Sequence, residues 1–533
     1  MFFQNVPPVA AFGPHSVTLP DSPLDSVIYQ LPGRACPAQL IAGADMINNQ
    51  GFFLNTVVEN TGTWVVLAFN IERARTGFCL LYGKVAHLCN ILTLMTYCQG
   101  SGKIAGRIPI PGSKSHTIRA LLIASLADGQ STIRQPLYSA DTRSCIAACR
   151  AFGARIEETR HCITVQGVAG KLIAPESPID VGNSGTTLYL AAAMAALAEG
   201  TTEFTGDKQI QARPAAPLLN SLRDLGARIE YLGTEGCAPF RITGPITGGR
   251  TSIECKTSQY LSSLLMALPL IAGEKAATII DVPLLNEQPY VEITLSWLKK
   301  QGIHLEQQDW SRWIVPPGQR YKSFDLDIPA DFSSATFFFC AAAMTGSALR
   351  LDGLDMTDSQ GDKGVLDIML DMGCKALIYE NEKPMSIAVF GPGHPYCPSG
   401  SLRGGEFDLN AMPDALPALA ACACAASEEV RLVNVPQARE KETDRIAVMA
   451  AELSKMGADI SELPDGLIIR PSRLHAAEVD GHDDHRVVMA LAIAALIAHS
   501  NENGQQETCI SGAEAAAVTF PEFFTLLAAI IEK

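Results

Sequence analysis

Apolar and polar positions across residues 102–533 follow a repeated phrase. A run at helical spacing ends in glycine, a short alternating run follows, and a second alternating run closes in Gly or Pro. The helix ends fall at Gly153, Gly226, Gly302, Gly373 and Gly457. Glycine suits them because the residue after a helix often takes a left-handed backbone. The second strands are read at 162–167, 240–244, 313–316, 386–391 and 467–471. A period of about 70–85 residues is too long for a solenoid, so each unit is a small α/β subdomain with hairpin content. A last helix over 522–532 completes a sixth unit, which suggests two halves of three.

The start of the chain breaks this pattern. Residues 1–62 are rich in Pro, Asn and Thr, with few charges and poor helical periodicity. Residues 1–101 read as a separate small module, as a poorly ordered extension, or as lying ahead of the true start, and an extension without a catalytic role is expected; a start at Met95 leaves a chain of ordinary length for the repeat.

The 533 residues exceed one core, and 47% apolar with 18% charged is a globular composition. The longest apolar candidate, 85–98, contains His87, Asn90 and Thr93 and is short of the about 20 residues a membrane span needs. The first residues lack the basic start and small-residue cleavage site of a secretory signal. Fifteen cysteines, an odd number without paired spacing, read as reduced thiols in a cytoplasmic protein, not as a disulfide frame or zinc site. A net charge of −15 argues against nucleic acid or an anionic membrane as partner. It leaves room for a small anion held by a local cluster of cations.

Such clusters occur at predicted helix starts. Pro111-Gly112-Ser113-Lys114-Ser115 opens a helix through 120–127, with Arg119 four residues after Ser115 on the same face. Unpaired N–H groups and the positive dipole end make a helix start an anion seat. It is not a P-loop, because G-x-x-x-x-G-K is absent. The same logic applies to Gly182-Asn183-Ser184-Gly185, to Arg213-Pro214, and to Thr257-Ser258-Gln259-Tyr260 before the helix over 261–270. Further on, Pro413-Asp414 precedes an apolar helix. Gln437 leads into the densest charged run, where Lys441 and Arg445 at i, i+4 share a helical face with Glu442 between them in sequence. His482-Asp483-Asp484-His485-Arg486 runs into the apolar stretch 487–498; its spacing suits neither H-E-x-x-H nor a zinc knuckle. Taken singly, such segments are more often simple helix caps or solvated charge runs.

Taken together and in order, these segments resemble the 5-enolpyruvylshikimate-3-phosphate synthase family over about residues 102–533. The resemblance implies an α/β (α+β) fold, a two-domain inside-out α/β barrel with three βαβαββ units per domain and the active site in the interdomain cleft. The boundaries would be 102–113 plus 331–533 for one domain and 114–330 for the other. The implied reaction transfers the enolpyruvyl group of phosphoenolpyruvate to the 5-hydroxyl of shikimate 3-phosphate, with release of phosphate, towards chorismate. By resemblance, Lys114, Gly185, Arg213, Gln259, Arg445 and Arg486 would bind phosphoenolpyruvate. Ser115, Arg119, Thr257, Ser258, Gln259, Tyr290, Asp414, Gln437 and Lys441 would bind shikimate 3-phosphate. Asp414, Glu442 and Lys114 would move the protons, with His485 a secondary candidate. No cofactor and no metal are implied, and a monomer is expected.

Four positions depart from the family pattern. Tyr189 stands where Arg is usual, Glu287 where a phosphate-binding Ser is usual, Gln437 where Asn is usual, and Val518 where some members carry Lys. Glu287 matters most, because a carboxylate beside a phosphate is repulsive unless protonated or bridged by a cation. Competing readings are a carboxyvinyl transferase for another cyclic alcohol and a non-catalytic binding protein on the same scaffold. The UDP-N-acetylglucosamine enolpyruvyl transferases share the fold, but usually carry Lys-Asn in the first turn and a Cys before Arg-Pro; this chain has Lys114-Ser115 and no Cys over 207–212.

Overall fold

The five predicted helix-ending glycines all take positive φ, from 71° at Gly302 to 107° at Gly226, so the chain turns where the repeat predicted. A computed structural model describes residues 53–59, 62–68, 80–84 and 96–532, apart from 274, 275 and 399. Most of the start of the chain lies outside the described residues, including the possible start at Met95 and most of the apolar stretch 85–98. The chain divides into two units, Met1–Thr93 and Leu94–Lys533. In the first, Phe53–Glu59, Gly62–Ala68 and Leu80–Lys84 pair antiparallel in that order.

The second unit holds six small sheets among the described residues, five of four strands and one of three. In one, Gly405–Asp408 runs parallel to Val430–Val433, which pairs antiparallel with Gly466–Arg470, flanked by Asp459–Leu463. Two sheets take an edge strand from far along the chain. Asp325–Asp327 lies parallel to Gln130–Arg134, and Ala105–Pro109 parallel to Ala348–Asp352.

The sixth sheet corrects two expectations. Its third strand is Tyr97–Gly100, antiparallel to Glu507–Ser511, so sheet structure begins ahead of the boundary read at residue 102. There Cys98 lies directly opposite Cys509, and the two form a disulfide. The reading of every cysteine as a reduced thiol therefore fails at this pair, because strand register brought together residues 411 apart in sequence. Nine other described cysteines are free, seven of them buried. The last helix, Phe523–Ile530, forms within the expected stretch. No helix among the described residues is long and apolar enough to cross a membrane.

Buried side chains gather into two cores. One holds Ile118 through Ile328; the other takes Ile104, Ile108 and Ile110 and resumes at Ala330. The chain crosses between them twice, and the crossings run side by side. Ser113 N–H donates to the Pro329 carbonyl at 2.8 Å, and Asp331 N–H to the Pro111 carbonyl at 2.9 Å. A Cβ on Gly112 would run into the Gln135 carbonyl oxygen, so the close approach requires glycine there.

Candidate active site

Helix starts from both cores converge on one cavity. From the first core come Lys114, Ser115 and Arg119 on Lys114–Leu126, Gly185 opening Gly185–Ala195, and Ser258 and Gln259 opening Ser258–Ala267. Arg213, just after Lys208–Ala212, and Tyr290 on Gln288–Lys300 also line it. The second core brings Asp414 from the short turn Pro413–Ala415, Lys441 and Glu442, Arg445 opening Arg445–Lys455, and His485 and Arg486 opening His485–Ala495. The cavity is about 40 Å³, room for more than one water molecule.

Six cations face this space against four carboxylates, Asp141, Glu287, Asp414 and Glu442. Every carboxylate is paired. Lys114 meets Asp141 at 3.2 Å, and Arg213 meets Glu442 at 2.9 Å. Lys441 contacts Glu287. Arg445 reaches Asp414 at 2.9 Å, Glu442 at 2.5 Å and Asp484 at 2.8 Å, while Arg486 holds the other oxygen of Asp414 at 2.9 Å. Arg119 differs. Its guanidinium donates only to neutral oxygens, those of Thr294 at 2.8 Å, the Ser115 carbonyl at 3.0 Å and the Tyr290 carbonyl at 3.1 Å. Burial lowers its pKa to about 10.

Burial pushes the carboxyl of Asp414 up, but Arg486, Lys441 and Arg445 pull it further down, and it stays well below the usual carboxylate range. Glu442 follows the same pattern: burial opposes ionisation, and Arg213 with Arg445 outweighs it. His485 is buried, with neither ring nitrogen hydrogen-bonded, and burial lowers its pKa to about 3. It is a neutral imidazole at ordinary pH. Behind Tyr290, Asp362 accepts a hydrogen bond from the Tyr290 hydroxyl at 2.8 Å; burial first, and Asp414 second, push the Asp362 pKa up to about 7.

Nearly all the residues singled out in the sequence line this cavity. Thr257 caps Ser258–Ala267 and donates its hydroxyl to Glu287 at 3.0 Å. Gln437 is not among the cavity-lining residues; its amide donates to the Asn410 carbonyl at 3.2 Å. Lys441 and Arg445 share the cavity but not a helical face, because the helix begins at Arg445 and a 3₁₀ turn, Pro436–Glu440, precedes Lys441. Asp484 caps the helix of Arg486, accepting its N–H at 2.9 Å, and His482 contacts Glu452 at 2.9 Å. These neighbours in sequence thus serve different partners. Tyr189 donates to the Pro214 carbonyl at 2.9 Å and packs edge-on against Tyr260 at 5.1 Å, so it braces the turn that carries Arg213. Val518 ends the 3₁₀ turn Ala513–Val518 and does not line the cavity. Sequence reasoning missed Asp141 and Asp362. The only local signal for Asp141 was the capped helix start at Ser139.

The model of the EPSP synthase (3-phosphoshikimate 1-carboxyvinyltransferase) family matches residues 98–527. The chain belongs to the EPSP synthase family. Two similar relatives are each called 3-phosphoshikimate 1-carboxyvinyltransferase. The one from Ruminiclostridium cellulolyticum is 50% identical over 420 residues, 79% of this chain and 94% of that protein. The one from Acetivibrio thermocellus is 50% identical over 425 residues, 80% of this chain and 96% of that protein. Among solved structures, the EPSP synthase from Acinetobacter baumannii superposes with a TM-score of 0.67 at 27% identity, covering 82% of this chain and 98% of that one. The mixed α/β architecture with many small sheets is thus an EPSP synthase architecture, and the family match begins within the strand Tyr97–Gly100.

Proposed function

We propose that this chain transfers the enolpyruvyl group of phosphoenolpyruvate to the 5-hydroxyl of shikimate 3-phosphate, giving 5-enolpyruvylshikimate 3-phosphate and phosphate. The observation that carries this is the gathering of six cations, four of them buried, from both cores into one cavity of a chain with net charge −15. Arginines and lysines gathered this closely, with Arg119 lacking any carboxylate partner among the described residues, suit anions from outside. Both reactants are such anions.

Arg213, Arg445, Arg486 and Lys114 would hold phosphoenolpyruvate, with Gln259 beside it and Gly185 packed where a Cβ would meet the Arg213 guanidinium. Ser115, Arg119, Thr257, Ser258, Tyr290 and Lys441 would hold the acceptor. The 5-hydroxyl adds to C2 and its proton passes to Asp414; C3 gains a proton from the Lys114 ammonium, with the Glu442 carboxylate beside it to take a C3 proton back. The tetrahedral intermediate then loses a C3 proton and phosphate. Asp414 and Glu442 are held ionised by the same arginines that would grip phosphoenolpyruvate. When the reactant takes over those arginines, both carboxylates regain basicity and can exchange protons.

The two cores and six sheets support a two-domain inside-out α/β barrel, one domain running from the strand Tyr97–Gly100 to 113 and resuming over 331–533, the other over 114–330, with the site between them. The net charge of −15 favours small-molecule reactants over nucleic acid or an anionic membrane, and the family reading is of a cytoplasmic monomer without cofactor. The test is phosphate release from phosphoenolpyruvate with shikimate 3-phosphate, shikimate or UDP-N-acetylglucosamine as acceptor. Fast release with the first alone is expected. Preference for shikimate would favour the other-alcohol reading, to which Glu287 lends weight, and release with none would overturn the enzymatic reading.

A further inference from the structure

Glu287 lies in the middle of the donors assigned above to the acceptor. One carboxylate oxygen accepts the Thr257 hydroxyl at 3.0 Å, the Ser258 N–H at 3.1 Å and the Ser258 hydroxyl at 2.9 Å. The other takes the Lys441 ammonium. Two hydroxyls, a helix-start N–H and an ammonium are the donor set of a phosphate seat. The seat is split: Ser258 belongs to a helix packed in the first core, and Lys441 precedes a helix packed in the second. Glu287 is 1% exposed and sits at φ 57° ahead of Gln288–Lys300, its N–H donating to the Asn410 side chain at 3.3 Å. A left-handed backbone at a non-glycine residue is sparsely populated and persists where surrounding contacts hold it.

We propose that Glu287 is the internal occupant of the acceptor's phosphate seat, and that its displacement sets how tightly the acceptor binds. A carboxylate and a phosphate cannot share four donors, because both are anions and the lone pairs that accept are the same. The acceptor's phosphate docks only as the Glu287 side chain swings out. Its affinity is lowered by the contacts that side chain gives up, so Glu287 is a specificity-determining residue for the acceptor and acts on phosphoenolpyruvate only indirectly.

This inference rests on the function proposed above, and the experiment separates the two. Glu287→Ser empties the seat, and Glu287→Gln keeps the bulk without the charge. Steady-state kinetics should show KM for shikimate 3-phosphate falling about tenfold or more in Glu287→Ser and by less in Glu287→Gln, with KM for phosphoenolpyruvate moving less than about twofold. The preference for shikimate 3-phosphate over shikimate, which lacks the phosphate, should rise in parallel; a merely structural role would move both acceptors alike. An unchanged or raised KM for shikimate 3-phosphate in folded variants overturns the proposal, and Glu287→Gln decides if Glu287→Ser does not fold. If neither wild type nor variants release phosphate, the reaction assigned above falls. Calorimetric titration with shikimate 3-phosphate then decides alone: tighter binding to the variants supports the internal occupant, and equal or weaker binding overturns it.

Discussion

Lys114 and Glu442 each stand in an ion pair that a reactant would have to rearrange, Lys114 with Asp141 and Glu442 with Arg213 and Arg445. Lys114→Met and Glu442→Ala should each lower turnover by about 10²–10⁴ while circular dichroism stays that of the wild type. Rates near wild type would remove those residues from proton transfer. Asp362 makes a different prediction, about stability. Its folded pKa, raised to about 7, exceeds the ordinary carboxyl value of 3.8. The folded state therefore binds the proton more tightly than the unfolded chain. Its contribution is neutral below pH 3.8 and becomes a growing cost as pH rises to about 7, where the cost levels off. Relative to wild type, Asp362→Asn should gain about 2–4 kcal/mol between pH 4 and pH 8 by denaturant titration. A pH-independent difference would show that Asp362 ionises normally. Sequence could flag Lys114 and Glu442, since cations and carboxylates at helix starts carry a local signal. It could not flag Asp362, whose raised pKa comes from burial beside Asp414, a residue 52 positions away.

The element that decides the most is the crossover ahead of Lys114–Leu126. Gly112 is bridged to Ala330 and pressed against the Gln135 carbonyl, so the first turn that carries Lys114 and Ser115 depends on that contact. Gly112→Ala should destabilise the chain by about 1–3 kcal/mol, the usual cost of overpacking. It should also raise KM for phosphoenolpyruvate, measured alongside thermal melting. A wild-type melting curve would mean the crossover yields without cost. At the other end, the sixth sheet is closed by Tyr97–Gly100, and peptide mapping without reductant should recover Cys98 linked to Cys509. Free thiols at both positions would leave the strand held by backbone hydrogen bonds alone. The repeat of helix, glycine and strand was legible because each unit obeys local rules. The strands Tyr97–Gly100, Ala105–Pro109 and Asp325–Asp327 were not, because each pairs with a partner far along the chain.

At the scale of the whole second unit, two cores share a cavity of about 40 Å³ lined by six cations. Because the site is split between the two cores, closure of one on the other around both reactants is expected. Small-angle scattering should show a smaller radius of gyration with shikimate 3-phosphate and phosphoenolpyruvate together than without them; an unchanged radius would confine the movement to side chains. The sequence by itself determined the unit repeat, the helix starts bearing cations and the order of the motifs, since helix periodicity, caps and turns depend on residues a few positions apart. Only the tertiary structure decided which charges neutralise which. It set Glu287 among Thr257, Ser258 and Lys441, left Arg119 among neutral oxygens, and joined Cys98 to Cys509. Those relations depend on distances between residues remote in sequence, and on burial that strengthens every unpaired charge, neither of which any local pattern encodes.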